Sequence, residues 1–252
     1  DGHGGVISAL KQSGGLEEMA KRGVNYLSYV QVDNPLANVI DPDFIGLHLS
    51  DTSSREASSK CVAKTNPEER VGVFCTVNGN IEVVEYSDLT TEKSNQKDAD
   101  GELLYGAGSI AVHLFTVSFL QQIADDLPWH CANKKVNFVH CDTGEHVSPS
   151  DPNAYKFEKF VFDVLPMAAR SLVVETKRDD EFAPIKNAAG HDSAKTSQLA
   201  QLERAKKWLR ARGVSVADGA RVEISPLSGA CAEDLDASTL PKTIGSAEVV
   251  SI

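Results

Sequence analysis

Five short stretches of the sequence carry residue types that could bind a phosphorylated ligand. Asp33 follows an apolar run that ends in VQV, and Glu85 and Tyr86 close a second run, IEVV. Lys156 and Lys186 lie in later polar segments, and an opening DGHGG precedes an apolar periodic stretch. Carboxylates hold Mg²⁺ or accept hydrogen bonds from hydroxyls, lysines offset phosphate charge, and glycines let a ligand approach the backbone closely.

Each stretch also has an interpretation that involves no ligand. Asp33 stands before Asn34-Pro35, so its side chain could simply cap a turn. Glu85 and Tyr86 could lie at an exposed strand end, DGHGG could be an ordinary tight turn, and most lysines are solvent-exposed. The spacing of these residues leaves both interpretations open.

The segment WHCANKKVNFVHCDTGEH contains three histidines and two cysteines, which invites a zinc interpretation. Neighbouring side chains on an extended chain point apart, however, and the spacing matches no common zinc module. We therefore do not expect a zinc site here. His191 and Asp192 could act together as a catalytic base, but we expect Asp192 or Ser193 to cap the following helix.

The composition is that of an ordinary globular protein. The 252 residues are 41% hydrophobic and 24% charged, which suits one large α/β domain or two small ones. A formal net charge of -11 argues against a nucleic-acid partner. No apolar run is long enough for a membrane helix, so we expect no membrane partner. Five scattered cysteines without a CxxC pattern favour a cytoplasmic location.

Hydrophobic periodicity predicts strands that alternate with helices, and hence a layered α/β sheet with a hairpin insertion. Strands are expected at 24–32, in VGVFCTV and IEVVEYS joined by Asn78-Gly79-Asn80, at SLVVET, and within 214–252. Helices are expected after DGHGG, before Gly23, and at 109–127, 157–168 and 196–212. In the last helix, the side chains expected to face inward are Leu199, Leu202, Ala205 and Leu209.

The position of Asp33 after a predicted strand favours a ligand-binding role. Ligands of such sheets gather beyond the carboxyl ends of the strands. Because 24–32 is predicted as a strand, Asp33 is expected at that edge.

Seven stretches, taken in order, are far more specific together than singly. They are DGHGG…SALK, YVQVDNPLANVIDPDFIGLH, KTNPEERVGVFC…VVEYS, LLYGAGSIAVHLFTVSFL, PNAYKFEKFVFDVLP, RDDEFAPIKNAAG and VEISPL. This series spans nearly the whole chain and resembles the UDP-N-acetylglucosamine pyrophosphorylases, within the family of UTP:hexose-1-phosphate uridylyltransferases. The resemblance implies a Rossmann-like nucleotidyltransferase (GT-A-like) fold, an α/β mixed sheet flanked by helices with a small β-rich C-terminal tail.

The resemblance also implies a domain division and a reaction. Residues 1–213 would belong to the nucleotidyltransferase catalytic domain, and 214–252 would form the small β-rich segment. The reaction would convert UTP and N-acetylglucosamine 1-phosphate to UDP-N-acetylglucosamine and pyrophosphate, with Mg²⁺. Two alternatives are a non-catalytic nucleotide-sugar-binding fragment and a pyrophosphorylase for another hexose 1-phosphate.

Residue by residue, the resemblance assigns roles to the motifs. Gly2 would lie near the uridine, and His3 stands where eukaryotic members usually carry an asparagine that touches the ligand. Asp33 would face the nucleotide phosphates and hold the metal. Glu85 and Tyr86 would bind the sugar.

The resemblance places Lys156 and Lys186 near the phosphates and the substrate. Members of the family often have FNAGNIANH where this chain has YGAGSIAVH, so Gly106, Ser109 and Val112 replace three asparagines. The second asparagine usually helps to hold the sugar. Ser109 can still form a hydrogen bond with the sugar, but it is shorter, so the identity of the sugar is left open.

One family motif is absent from the sequence. The glycine-rich signature L-x-x-G-G-x-G-T-R-x-G, which cradles the triphosphate, does not occur in this chain. We therefore expect the chain to be the C-terminal half of such an enzyme, with most triphosphate contacts supplied by an N-terminal half.

Overall fold

The computed structural model describes residues 1–252, along which helices and strands alternate. The α-helices are α1 (Gly5–Gln12), α2 (Gly15–Lys21), α3 (Pro42–Leu49), α4 (Thr91–Ser94), α5 (Val117–Ile123), α6 (Arg178–Glu181) and α7 (Ala194–Ala211), with a 3₁₀ helix at Val161–Met167. The strands are β1 (Tyr26–Tyr29), β2 (Ala57–Ala63), β3 (Val73–Val77), β4 (Asn80–Val84), β5 (Ala107–Thr116), β6 (His130–Lys134), β7 (Phe138–Val139), β8 (His146–Val147), β9 (Ala154–Glu158), β10 (Leu172–Glu175), β11 (Ser215–Val216), β12 (Arg221–Glu223), β13 (Thr243–Ile244) and β14 (Val249–Ser251). None of the helices combines the length and the hydropathy of a membrane-spanning segment.

A six-stranded mixed sheet lies at the centre of the protein. Its strands follow the order β10-β2-β5-β3-β4, and β1 also pairs with β5. The pair β10–β2 is parallel, whereas β5 is antiparallel to β1, β2 and β3. The mixed α/β sheet that the sequence predicts is therefore confirmed.

Apolar clusters cover both faces of this sheet. The cluster on one face joins the sheet to α1, α2, α5 and the 3₁₀ helix, and it includes Ile7, Leu16, Phe115, Leu120 and Leu165. The cluster on the other face includes Phe44, Val62, Val71, Val112, Leu114 and Phe182. Strand β5 contributes to both clusters, so it is buried on both sides.

The burial of β5 explains one wrong prediction. The expected helix at 109–127 is in fact most of β5 followed by the short helix α5. A strand covered on both faces is apolar almost continuously, and periodicity does not distinguish it from a buried helix.

The expected amphipathic helix at 157–168 is also wrong. Strand β9 continues to Glu158, and the 3₁₀ helix begins at Val161. Phe157, which the helical pattern placed inward, is 55% exposed. Within the 3₁₀ helix the buried residues are Val161, Phe162, Val164 and Leu165, a run too continuous for one face of an α-helix.

The strand before Asp33 is shorter than its apolar pattern indicates. Strand β1 ends at Tyr29, and the side chain of Val32 is fully exposed. The Asn34 amide donates to the Gln31 carbonyl at 3.2 Å, which closes a turn. Asp33 therefore lies in this turn, four positions beyond the strand end, and does not end the strand itself.

Local turn chemistry is predicted correctly. Strands β3 and β4 form an antiparallel hairpin through Asn78 and Gly79, which have φ values of 51° and 88°. Positive φ at both central residues is the requirement of a type I′ turn, and Asn-Gly satisfies it. Gly23 and Gly213, expected to follow α2 and α7, also have positive φ.

Helix α7 begins as expected but faces the core differently. The Ser193 side chain accepts from the Thr196 amide, and Thr196 bonds back to the Ser193 amide, a reciprocal cap. Ala205 and Leu209 are buried. Leu199, which was expected to face inward, is exposed, because the first half of α7 lies outside the apolar cluster that its second half joins.

The C-terminal segment is β-rich, as the sequence predicts. Strand β11 pairs with β13 and β12 pairs with β14, both in parallel. Their apolar cluster includes Val222, Leu235 and Ile244, together with Ala205 and Leu209 of α7. The division between residues 213 and 214 stays a prediction, and this cluster extends across that position.

A buried lysine joins the sheet to two helices. Lys60 of β2 is 2% exposed, and its Nζ lies 2.5 Å from carboxylate oxygens of both Asp41 and Glu181. Asp41 also caps α3 by accepting from two amides of the first turn, and Glu181 is the last residue of α6. Burial raises the pKa of Asp41, but the hydrogen bonds from Lys60 and the α3 amides outweigh burial, so the net shift is downward.

We expect Lys60→Met to destabilise the fold by about 3–5 kcal/mol, because two carboxylates would be left buried without a cation. Urea denaturation at pH 7 measures this change in the free energy of unfolding. Lys207→Met is the control, since Lys207 pairs with Asp180 at a more exposed position and its loss should change stability by at most about 1 kcal/mol. Equal destabilisation by the two substitutions would contradict the role assigned to Lys60.

Candidate functional site

Strand β5 is only partly paired along the edge that faces β1 and β3. β1 pairs with residues 113–116, and β3 pairs only at Gly108. On the opposite edge the register with β2 shifts, so that Ile110 and Ala111 form a bulge. Ala111 has φ 52°, which is uncommon for a residue other than glycine. The bulge therefore lies where β1 and β3 leave the edge of β5 uncovered.

A cleft with a cavity volume of about 200 Å³ opens at this bulge. It brings together most of the residues predicted from the sequence, although they come from separate segments. These residues are His3, Asp33, Glu85, Tyr86, Ser109 and Lys186.

Asn34 fixes the loop that carries Asp33. It is buried, its Nδ2 donates to the Glu181 carbonyl at 2.8 Å, and its Oδ1 accepts from the Ala183 amide at 3.0 Å. The first bond joins the loop after β1 to the last residue of α6, and the second joins it to the loop that follows α6. Because a buried amide side chain with unmet hydrogen bonds is costly, this pairing holds the two loops at a fixed separation.

The carboxylate of Asp33 is free. Its backbone carbonyl accepts from the Ile185 amide at 2.7 Å, but its side chain forms neither a hydrogen bond nor an ion pair in the protein. Asp33 therefore does not cap the turn, and its oxygens are available within the cleft. Lys186, one residue after Ile185, reaches the same cleft and also has no ion pair; its Nζ lies 5.9 Å from the ring centre of Phe182.

Glu85 sits in an environment that disfavours its charge. Burial raises the pKa of its carboxyl, and the negative charges of Asp88 and Asp163 raise it further. Lys186 and His130 act in the opposite direction without cancelling the shift. A partly desolvated carboxylate of this kind gains most from ligand hydroxyls that donate to it.

Glycine at position 72 makes room for Val83, two residues before Glu85. A Cβ at Gly72 would lie 2.8 Å from Cγ1 of Val83 and 3.4 Å from Oε1 of Glu85. The Gly72 carbonyl accepts from the Ser109 amide at 2.8 Å, which fixes the start of the bulge. Tyr86 follows at the rim with a half-exposed ring.

His3 presents a neutral ring to the cleft. Its Nδ1 accepts from the Val161 amide at 3.0 Å, and its ring stacks on Phe160 with centroids 5.3 Å apart. Burial lowers the pKa of His3, although Asp163 and Glu158 oppose the shift. Because Nδ1 is an acceptor, the proton lies on Nε2, and His3 can donate a hydrogen bond to a ligand.

The glycines around His3 serve close backbone packing. Gly2 has φ 68°, and a Cβ there would overlap the carbonyl oxygen of Lys159. The Gly4 amide donates to the same carbonyl at 2.8 Å, and a Cβ on Gly4 would lie 2.7 Å from the backbone of Phe160. Gly2 does not line the cleft, so its place near a uridine stays a prediction.

Lys156 lies outside the cleft. It belongs to β9, which pairs with β6 in a hairpin. Its side chain is 58% exposed, and its Nζ lies 2.8 Å from Oε1 of Glu158. The structure therefore does not bring Lys156 to the other predicted residues, and its role near phosphate stays a prediction.

Asn34 and Arg70 are two of the cleft residues that the sequence analysis missed. Asn34 follows Asp33, and its sequence context predicts only a turn residue. Its hydrogen-bond partners, Glu181 and Ala183, are too remote in sequence to be predicted. Arg70 also lines the cleft, yet within NPEER it resembles any charged surface loop. Its position two residues before Gly72, which precedes strand β3, is not enough to predict a role for it.

The histidines and cysteines of 129–146 are not gathered at one point. His140, Cys141 and Asp142 have ligand atoms within 4.8 Å of one another on the exposed β7–β8 hairpin. His130 lies apart from this group and bonds to Asp163 at 2.7 Å. His191 is exposed beside Asp192 and does not line the cleft.

Comparison with known proteins places the chain in a family. Residues 1–207 match the family model described as UTP–glucose-1-phosphate uridylyltransferase. The human UDP-N-acetylhexosamine pyrophosphorylase-like protein 1 is 40% identical over 224 residues, which are 86% of this chain and 44% of the human protein. The UDP-N-acetylglucosamine pyrophosphorylase of Saccharomyces cerevisiae is 35% identical over 243 residues, which are 93% of this chain and 50% of the yeast protein.

A solved structure shows the same fold. The crystal structure of a protein from Entamoeba histolytica, assigned as a UDP-N-acetylglucosamine pyrophosphorylase, superposes with a TM-score of 0.83 at 34% identity, covering 100% of this chain and 62% of that one. The chain spans about half the length of the curated relatives it matches. The resemblance seen in the sequence is confirmed, and the chain belongs to the UTP–glucose-1-phosphate uridylyltransferase family.

Proposed function

We propose that this chain forms the sugar-binding part, and some of the phosphate-binding part, of a uridylyltransferase. The reaction would join UTP and N-acetylglucosamine 1-phosphate to give UDP-N-acetylglucosamine and pyrophosphate. The observation that carries this proposal is the single cleft shared by the residues assigned from scattered motifs, namely Asp33, Glu85, Tyr86, Ser109 and Lys186. The name of the yeast relative supports N-acetylglucosamine as the sugar.

The chemistry requires positioning more than covalent help. A phosphate oxygen of the sugar 1-phosphate attacks the α-phosphorus of UTP in line, and pyrophosphate leaves. Lys186 neutralises phosphate oxygens from the loop after α6. Lys156 would join it only after its ion pair with Glu158 opens.

Mg²⁺ is the cofactor we propose, and Asp33 would hold it. A free carboxylate with no internal partner suits a hard cation that takes its other ligands from water and phosphate. The metal would supply further neutralisation of phosphate charge.

The sugar and the base would be oriented by the remaining residues. The Glu85 carboxylate accepts hydrogen bonds from sugar hydroxyls beside Tyr86, and Ser109 offers a short hydroxyl at the bulge. His3, with its proton on Nε2, donates to the ligand from the opposite wall.

The proposal includes a cellular location and the absence of a nucleic-acid partner. All five cysteines are free, which supports a reducing, cytoplasmic location. The net charge of -11 supports the absence of a nucleic-acid partner.

A non-catalytic nucleotide-sugar-binding role is the second candidate. The observation that favours it is that Lys156, which the resemblance places near the phosphates, lies outside the cleft and pairs with Glu158. A different hexose 1-phosphate is the third candidate, since Ser109 replaces a longer family side chain.

Asp33→Asn is expected to lower turnover roughly 100-fold or more, because it removes the charge that holds the metal at the phosphates. Pyrophosphate release from UTP, N-acetylglucosamine 1-phosphate and Mg²⁺ measures turnover, in the chain and in a protein of the relatives' length that contains it. Asp100→Asn, in an exposed loop, is the control. Near-normal turnover in Asp33→Asn would contradict the role of Asp33 in holding the metal.

The same assay separates the three candidates. Turnover with N-acetylglucosamine 1-phosphate, and much less with glucose or galactose 1-phosphate, supports the main proposal. Binding of UDP-N-acetylglucosamine without turnover in either protein supports the non-catalytic role. Neither binding nor turnover would refute both.

Glu85→Gln is expected to remove a pH dependence of sugar binding. Because the pKa of Glu85 is raised by burial, part of the wild-type carboxyl is protonated in mildly acidic solution and accepts fewer hydrogen bonds. The ratio of wild-type to Glu85→Gln affinity for N-acetylglucosamine 1-phosphate should rise between about pH 5 and 7.5. The ratio isolates Glu85 from the titration of the ligand, and a ratio independent of pH would contradict the assignment.

The stability of the same variant gives an independent check. A carboxyl whose pKa is higher in the folded chain contributes stability that is lost as pH rises through that folded-state pKa. Glu85→Gln should therefore keep or raise the Tm at pH 7 while it weakens sugar binding. Glu82→Gln on β4, three residues earlier, is the control. A Tm of Glu85→Gln clearly below that of this control would assign Glu85 a structural role instead.

A further inference from the structure

A second polar cavity adjoins the cleft, and Arg70 lies where the two meet. This cavity has a volume of about 600 Å³ and shares Arg70, Tyr86 and Lys186 with the cleft. Its other walls are almost entirely polar and include the acidic residues Glu68, Glu69 and Asp192 as well as Asn66 and Asn187. Two cationic side chains therefore stand together at the junction.

The guanidinium of Arg70 makes no hydrogen bond and no ion pair within the protein. The neighbouring carboxylate of Glu69 is already engaged, since it accepts from Arg178 at 2.7 and 3.0 Å and from the Thr65 amide at 2.8 Å. The chain has 36 acidic and 25 basic side chains, so carboxylates are abundant. Arg70 is exposed at the edge of the cleft and pairs with none of them, so it retains its full capacity for an external anion.

The backbone holds Arg70 at the apex of a tight turn. The Val71 amide donates to the Glu69 carbonyl at 3.0 Å, which closes a three-residue γ-turn with Arg70 at its centre. Val71 is buried in the apolar cluster with Phe182, and Glu69 is held by Arg178. Both neighbours are therefore fixed, and Arg70 starts from an anchored backbone.

Lys186 approaches from an equally anchored loop. Its amide donates to the Asp192 carbonyl at 2.7 Å, and the preceding Ile185 amide donates to Asp33. Its ammonium has no carboxylate partner. The two cations thus reach the junction from separate loops whose backbones are fixed by hydrogen bonds.

We propose that Arg70 and Lys186 form an anion subsite that holds the phosphate of the sugar 1-phosphate, with Arg70 as a substrate-binding residue. This inference rests on the proposed function. A guanidinium contacts two phosphate oxygens at once, and an ammonium adds a point charge. Glu85 and Tyr86 lie beside the junction, so a sugar held there presents its phosphate to both cations. Lys156 pairs with Glu158 outside the cleft, and Arg70 supplies the second positive charge within it.

Binding to wild-type protein and three variants tests this subsite. Protein NMR titrations would use N-acetylglucosamine 1-phosphate, inorganic phosphate and neutral N-acetylglucosamine. Arg70→Gln should weaken binding of both phosphates about tenfold or more, the range of hydrogen bonds to charged groups, and leave the neutral sugar unaffected. Arg70→Lys should restore part of the loss. Arg221→Gln on β12, exposed and without an ion pair, should match the wild type.

Folding does not obscure the outcome. Arg70→Gln removes no internal bond, so its Tm should equal that of the wild type. Binding of the sugar phosphate by Arg70→Gln as tightly as by wild type would overturn the subsite and leave the proposed function standing. Equal loss of sugar phosphate and neutral sugar would also overturn it, because Arg70 would then contact the sugar.

Two results with the wild type separate the subsite from the proposed function. Arg70-dependent binding of inorganic phosphate, with no binding of the sugar phosphate, would overturn the sugar 1-phosphate as the anion and with it the proposed function. The subsite for phosphate itself would stand. No binding of either phosphate by the wild type would overturn the subsite.

Discussion

The buried ammonium of Lys60 is the constraint on which the arrangement of the cleft depends. Moving a charge out of water is tolerated only where opposite charges and hydrogen bonds meet it, and Asp41 and Glu181 do so at 2.5 Å. The two carboxylates belong to α3 and α6, and β2 supplies the lysine. The loops that carry Asp33 and Lys186 run into these elements. One buried ion triad therefore sets where the Asp33 loop ends and where the Lys186 loop begins.

The irregularity of β5 turns this framework into a binding site. A central strand paired on both edges along its length would expose no backbone and no gap. Here the extra residues Ile110 and Ala111 break the register with β2, and β1 and β3 cover only the ends of the opposite edge. Bulges commonly change the direction of side chains beside functional sites. Ala111, whose backbone is left-handed, lies at the position where the edge of β5 is uncovered.

The sequence predicts features that are decided locally and misses those decided by remote contacts. The turn at Asn78-Gly79 and the Ser193 cap are predicted correctly, because atoms of neighbouring residues determine the turn and the helix cap. The strand β5 is mistaken for a helix because its burial on both faces comes from the rest of the fold. Asp33 is found through its motif, but the pairing of Asn34 with a loop some 147 positions away leaves no local pattern. Lys156 and Arg70 illustrate the same limit, since no motif shows which cationic side chain will reach the cleft.

Charge pairing separates the structural residues from those we assign to the ligand. Lys60 and the Glu69–Arg178 pair are largely buried and fully engaged, and each fixes a backbone segment next to the cleft. Asp33, Arg70 and Lys186 sit on those segments with no partner of their own. In a chain with excess negative charge, unpaired cations on anchored loops lose little conformational entropy when an anion arrives, because the backbone is already held. The paired charges thus preorganise the unpaired ones, and the affinity for phosphate that we propose for the cleft would depend on ion pairs that do not line it.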